Sequence, residues 1–282
     1  MTETQDASVV IRSAIAPDGS EIFYQVVGQG PTITFLHGSF VGRGAFTRQL
    51  SALGEQFRLL LITSRGHDGT DVTLPADFSF STTEIEDVCA VLDAENVAQT
   101  HLVAHSTGGA TAFALARDRP ERVNRMVLIE PTLHQLLPTE VYQQVSQEAS
   151  PIIAASEASD EVAAWQGMME HAGGDKWRSL DETKKLRIVN GLRPLTPLLA
   201  PHFRQLLNFS VSEDDVRQLQ APTLLFYGDD TVFFEPVISA RFKSLRADIP
   251  QIRVENSGHN VHHDQADLVN EEILKFLLTG YP

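Results

Sequence analysis

Six short runs in this chain are nearly continuous in apolar residues: 31–37 (PTITFLH), 57–63 (FRLLLIT), 100–105 (THLVAH), 125–130 (RMVLIE), 222–228 (PTLLFYG) and 251–255 (QIRVE). A strand with one wet face alternates apolar and polar residues, whereas a strand buried on both faces does not. The runs therefore predict parallel strands covered on both sides. Parallel strands cannot be joined by a tight turn, so their connections must be crossovers, usually helices. Helical spacing occurs where this requires it. Residues 81–92 open with the capping sequence Ser81-Thr82-Thr83-Glu84 and continue with Ile85, Val88, Val91 and Leu92. Residues 108–117 follow the 100–105 run, and 264–278 close the chain. Two further strands, 8–13 and 21–28, are predicted as a hairpin around Pro17-Asp18-Gly19. The pattern predicts an α/β fold with a mostly parallel, eight-stranded sheet flanked by helices.

One stretch breaks the alternation. Residues 132–218 contain no strand pattern, are helical in character, and carry Trp165, Met168, Met169, Trp177, Phe203 and Phe209, with Pro194 and Pro197 dividing them. This predicts a helical insertion, leaving 1–131 and 219–282 as the core domain. A net charge of −15 argues against nucleic acid and anionic membranes as partners. The single cysteine, Cys89, excludes an internal disulfide and any multi-cysteine metal site. Residues 1–8 (MTETQDAS) lack the basic and apolar regions of a secretory signal. No apolar stretch approaches the roughly 20 residues of a membrane span. A soluble, cytoplasmic protein is expected.

The chemistry-bearing residues fall at the carboxyl ends of the predicted strands. In Ala104-His105-Ser106-Thr107-Gly108-Gly109, small residues stand two before and two after Ser106, at a strand-to-helix junction. A sharp turn there lifts the serine above the sheet, at a helix N-terminus that favours developing negative charge. Ser106 is therefore a candidate nucleophile. A serine hydroxyl needs a base. His259, in Asn256-Ser257-Gly258-His259 after the last strand, would lie at the same sheet edge. His262 and His263 are read as the start of the last helix. A third group must orient the histidine. Glu130 competes for this role with the Asp229-Asp230 pair after the next core strand. An oxyanion hole needs two convergent N–H donors. Thr107 supplies one by position. The loop after His37-Gly38 would supply the other, from Ser39, with Gly38 and Gly42 letting the backbone approach a substrate closely.

Together these residues resemble the α/β-hydrolase fold family, over nearly the whole chain: the His37-Gly38 loop, residues 64–70 (SRGHDGT), the serine turn, PTLLFYGDD and Gly258-His259. The order nucleophile, acid, histidine also fits. The elbow carries Ala104 where glycine is usual. The Arg65-Gly66-His67 stretch is a common family feature, read here as loop architecture. In much of the family, the loop after strand seven reads glycine, two variable residues, then the catalytic aspartate. Counting from Gly228, that place holds Thr231. A minority of members, zearalenone lactonases among them, carry the acid at the end of strand six, where Glu130 stands. The resemblance therefore implies Glu130 as the acid, with Asp230 as the alternative. It also implies that 132–218 forms a cap over the site.

The expected protein is a serine esterase or lactonase with a Ser106–His259–Glu130 triad, and Gly38, Phe40, Trp165, Met168 and Trp177 at the substrate. Neither a metal nor an organic cofactor is required. A small-molecule ester or lactone is the expected partner, for a monomer or homodimer. Three alternatives stay open. One is hydrolysis of a C–C or amide bond. Another is a cofactor-independent dioxygenase, with a His–acid pair and His105 beside Ser106. The last is a ligand receptor with slow turnover.

Overall fold

A computed structural model describes residues 10–71, 74–75 and 77–280. The reading of residues 1–8, and the first two positions of the 8–13 strand, lie outside the described residues. The strands are β1 (Val10–Ile15), β2 (Glu21–Val27), β3 (Thr32–Leu36), β4 (Arg58–Ile62), β5 (Thr100–His105), β6 (Val123–Ile129), β7 (Thr223–Gly228) and β8 (Gln251–Val254). They form one eight-stranded sheet in the order β1-β2-β4-β3-β5-β6-β7-β8. β1 and β2 form the expected hairpin, and β2 also pairs antiparallel with β4. Every other pairing is parallel.

Side-chain alternation divides the sheet's two faces. Leu102 and Ala104 of β5, with Leu128 of β6 and Leu225 of β7, pack into one core. Val103, Ile129 and Phe226, from the same strands, pack into the other. Both faces are covered, which is why these runs carry so few polar residues. Helices α1 (Leu50–Gly54), α2 (Thr83–Ala94) and α3 (Thr107–Asp118) connect the first half of the sheet. Between β6 and β7 lie α4 (Thr139–Glu157), α5 (Glu161–Ala172), α6 (Gly174–Arg178), α7 (Glu182–Leu192), α8 (Thr196–Asn208) and α9 (Glu213–Gln218). The chain finishes with α10 (Glu235–Leu245), α11 (Val261–Asp264) and α12 (Ala266–Thr279).

The segment between β6 and β7 builds its own small core. Ile152 of α4, Trp165 of α5, Val189 of α7 and Phe203 of α8 pack together around Phe40 from the loop after β3. Its two ends behave differently: Leu136, Phe209 and Val216 join the core under the sheet.

Two local expectations fail. The capping box at Ser81–Glu84 does not form. α2 starts at Thr83, its N-cap Thr82 makes no side-chain cap, and Glu84 turns inward. There Thr111 Oγ1 donates to the Glu84 carboxyl at 2.5 Å. Burial pushes the Glu84 pKa up to about 7. The last helix is broken at Gln265 into α11 and α12, so His262 and His263 sit in the short α11 rather than at the start of α12.

Candidate active site

β5 and α3 meet at Ser106, whose backbone is held at φ 53 and ψ −119. A left-handed φ costs a non-glycine residue of the order of 1–3 kcal/mol, and such strain persists only where the surroundings impose it. The surroundings here are tight. A Cβ at Gly108 would lie 2.3 Å from the Leu36 carbonyl oxygen. Only glycine lets α3 start this close to β3. The Ser106 N–H donates to the Ile129 carbonyl at 3.0 Å, and the Ser106 carbonyl accepts from the Gly109 N–H at 2.9 Å. The turn is thus fixed on both sides.

His259 follows β8, and its Nε2 lies 3.0 Å from Ser106 Oγ. Its Nδ1 lies 2.6 Å from Glu130 Oε2. Glu130 stands immediately after β6, at φ 47, with its side chain fully buried. The carboxylate accepts two more hydrogen bonds, from the Gly228 N–H at 2.7 Å and from Thr231 Oγ1 at 2.5 Å. Thr231 is the position where the family commonly has its aspartate; here its hydroxyl serves the strand-six carboxylate. With Nδ1–H directed at Glu130, Nε2 is left as the acceptor facing Ser106. Asp229 and Asp230 are both exposed. Asp229 accepts from the Ser257 N–H, which holds its carboxyl below the usual range. Asp230 reaches the cavity wall but not His259 Nδ1, which is taken by Glu130.

Imidazoles fix the loop after β3. His37 accepts the Ser64 N–H at Nε2 and directs Nδ1 at the Gly38 carbonyl, 2.7 Å away. His67, from the Arg65-Gly66-His67 stretch, accepts the Phe40 N–H at 2.8 Å. Phe40 itself is held at φ 69. Burial lowers the pKa of both histidines, that of His37 to about 3, so both rings are neutral and can accept. The Phe40 N–H is thus committed to His67, and Ser39 stands between it and Gly38 in the loop. Thr107 opens α3, so its N–H has no acceptor within the helix. Gly38 is where the loop passes Ser106, since a Cβ there would lie 3.0 Å from Ser106 Cβ. His105, beside the serine, directs Nε2 at the His259 carbonyl at 2.9 Å. Burial, then His262 and His259, hold its pKa well below the usual range.

Ser106 and His259 open into a cavity of about 360 Å³. Gly38, Ser39, Phe40 and Thr107 line it from the sheet side, and Trp165, Met168 and Trp177 from α5 and α6. All the residues expected at the substrate therefore share one wall system. At the cavity wall, Lys176 of α6 pairs with Asp264 of α11 at 2.5 Å.

One further acid lies behind the site. Glu235, at the start of α10, is buried, and its Oε1 has no hydrogen-bond partner. Burial and the nearby Glu130 charge hold its carboxyl well above the usual range. Glu130, Glu235 and His259 each place one ligand atom within 4.8 Å of the others. This is the set among the described residues that could hold a cation. Glu130 already has three donors and no solvent contact, which suits an orienting hydrogen bond to His259. Sequence reasoning did not identify Glu235, the acceptor role of His67, or His202 of α8, which reaches Ser39 Oγ at 2.7 Å. Arg65-Gly66-His67 was a signal for the second; the other two had none.

A family model described as the alpha/beta hydrolase family matches residues 35–272. A 2-hydroxy-6-oxo-6-phenylhexa-2,4-dienoate hydrolase of Comamonas testosteroni is 32% identical over 114 residues, 39% of this chain and 40% of that protein. A pimeloyl-[acyl-carrier protein] methyl ester esterase of Nitrosospira multiformis is 24% identical over 263 residues, 90% of this chain and 97% of that protein. In structure, an enol-lactonase of Burkholderia xenovorans superposes with a TM-score of 0.72 at 17% identity, covering 94% of this chain and 99% of that one. No described helix is long and apolar enough to cross a membrane. The chain belongs to the alpha/beta hydrolase family.

Proposed function

We propose that this hydrolase cleaves a carboxylic ester or lactone through an acyl-enzyme on Ser106. The observation that carries the reading is the continuous line from Ser106 Oγ through His259 to Glu130, at 3.0 and 2.6 Å, opening into a cavity of about 360 Å³. His259 Nε2 takes the Ser106 proton as Oγ attacks the carbonyl carbon. Glu130 holds the imidazole tautomer and stabilises the imidazolium. The Ser39 and Thr107 N–H groups receive the oxyanion. His259 then protonates the leaving oxygen. In deacylation, the same nitrogen activates water, and Ser106 recovers its proton.

The walls favour an acyl or ring portion that is largely apolar, since Trp165, Met168 and Trp177 face it as a cap. An esterase is among the relatives that span nearly the whole chain, which is compatible with ester chemistry. The test is steady-state turnover of p-nitrophenyl esters of graded acyl length and of γ- and δ-lactones, by wild type and Ser106→Ala. Saturable hydrolysis that is lost in Ser106→Ala is expected. Turnover retained in Ser106→Ala, or no turnover of any ester or lactone by the folded wild type, would overturn the reading.

A further inference from the structure

The insert and the oxyanion loop are joined by a short polar relay. His202 lies on α8, and its Nδ1 is 2.7 Å from Ser39 Oγ. Ser39 Oγ in turn donates to Thr107 Oγ1 at 3.1 Å. A hydroxyl has one proton, so a Ser39 hydroxyl that donates to Thr107 must accept from His202. That requires the Nδ1–H tautomer. The other ring nitrogen supports the same assignment, because Nε2 of His202 is buried with no partner among the described residues. A buried lone pair left unpaired is tolerated better than a buried N–H. The ring has little freedom to do otherwise. Phe78 stacks on it, Phe80 meets it edge-on, and Phe40 and His67 close the other sides. Burial, then His67 and His37, keep it neutral.

We propose that His202 is a positioning residue, reaching from α8 through Ser39 Oγ and Thr107 Oγ1 to the two residues whose N–H groups form the oxyanion hole. The three residues at the loop's centre are then each held by a different imidazole: Gly38 by His37, Ser39 by His202 and Phe40 by His67. Two of those clamps belong to the core. The His202 clamp belongs to the insert, so the hole is fully set when α8 is seated against the loop.

This rests on the oxyanion role given above to Ser39 and Thr107. The test compares wild type, His202→Phe, His202→Asn, Ser39→Ala and the Ser39→Ala/His202→Phe double variant. Each is assayed for kcat and KM on p-nitrophenyl butyrate and for the rate of inactivation by a fluorophosphonate. Phenylalanine keeps the ring in its aromatic surroundings and removes the donor. Asparagine restores an N–H near the Nδ1 position. Sub-ångström drift of an oxyanion donor should cost about 10- to 100-fold in rate. We expect His202→Phe to lower kcat and the inactivation rate by that factor with KM nearly unchanged, and His202→Asn to recover most of the loss. On the Ser39→Ala background, His202→Phe should cost nothing further. Wild-type rates in His202→Phe, an undiminished His202→Phe effect on the Ser39→Ala background, or no recovery in His202→Asn would each overturn the proposal. A folded wild type that neither turns over nor reacts would overturn the serine mechanism as well, which separates the two failures.

Discussion

Replacing Glu130 by glutamine is the sharpest single perturbation of the site. The carboxylate accepts from three donors: Gly228 N–H on Oε1, and Thr231 Oγ1 and His259 Nδ1 on Oε2. A glutamine offers one accepting oxygen and one donating amide, so one side must fail. If the amide faces Gly228, two N–H groups oppose each other in a buried place, which costs about 1–3 kcal/mol. If it faces His259, the ring is driven to the Nε2–H tautomer, and the base no longer faces Ser106. In either orientation the negative charge that stabilises the imidazolium is gone. A wrong-tautomer histidine costs about 10⁴-fold in kcat in the Ser-His-Asp template, and loss of charge alone costs less. We therefore expect Glu130→Gln to lower kcat by about 10³- to 10⁴-fold, equivalent to about 4–5.5 kcal/mol of barrier, with KM changed far less. The assay is steady-state hydrolysis of p-nitrophenyl butyrate, with circular dichroism confirming the fold and Asp230→Asn run in parallel. The aspartate variant should stay within a few-fold of wild type. A folded Glu130→Gln enzyme at near-wild-type kcat, with Asp230→Asn disabled, would refute the reasoning and move the acid to Asp230.

Further outcomes follow from other parts of the fold. The Glu84 carboxyl rises from 4.5 to about 7 on burial, a gap of about 3 kcal/mol. Below pH 4.5 both folded and unfolded chains hold this proton; above it the unfolded chain releases first, so stability falls as pH climbs towards 7. Glu84→Gln should flatten that fall in urea denaturation at pH 5 and pH 8, and an unchanged slope would contradict the assignment. Gly108→Ala puts a methyl 2.3 Å from the Leu36 carbonyl oxygen, so α3 must shift. A stability loss of about 1–3 kcal/mol, with collapse of turnover, is expected, and a fully active, stable variant would refute the packing argument. Trp165 is buried, with its Nε1–H on Thr196 Oγ1 at 2.9 Å. Trp165→Ala should cost about 3–5 kcal/mol by thermal or urea unfolding and raise KM for bulky acyl esters; unchanged stability would count against the insert's core as drawn.

The parts of this fold that were legible in the sequence are those where one local rule decides. Val103 and Ala104 are consecutive and apolar because they enter opposite cores, so a continuous apolar run reads directly as a strand buried on both faces. The elbow was legible because Gly108 is demanded by a single close approach. Glu130 was favoured over Asp230 through the resemblance to the α/β-hydrolase family, whose usual aspartate place after Gly228 is held here by Thr231. Why the threonine is there becomes physical only in three dimensions, where its hydroxyl meets Glu130. The capping box failed because Ser81 to Glu84 satisfies a local rule while Thr111 offers Glu84 a buried partner that local spacing cannot show. His202 and Ser39 are 163 positions apart, and no periodicity links them. Glu235 opens a helix as an acidic residue should, and only the packing of α10 against the site buries it.

The central claim is that Ser106 is an activated nucleophile. Intact mass after exposure to a fluorophosphonate, on wild type and Ser106→Ala side by side, tests it most directly. One adduct per wild-type chain and none on Ser106→Ala is the expected result. A folded wild type that stays unmodified, or an adduct that persists in Ser106→Ala, would contradict it.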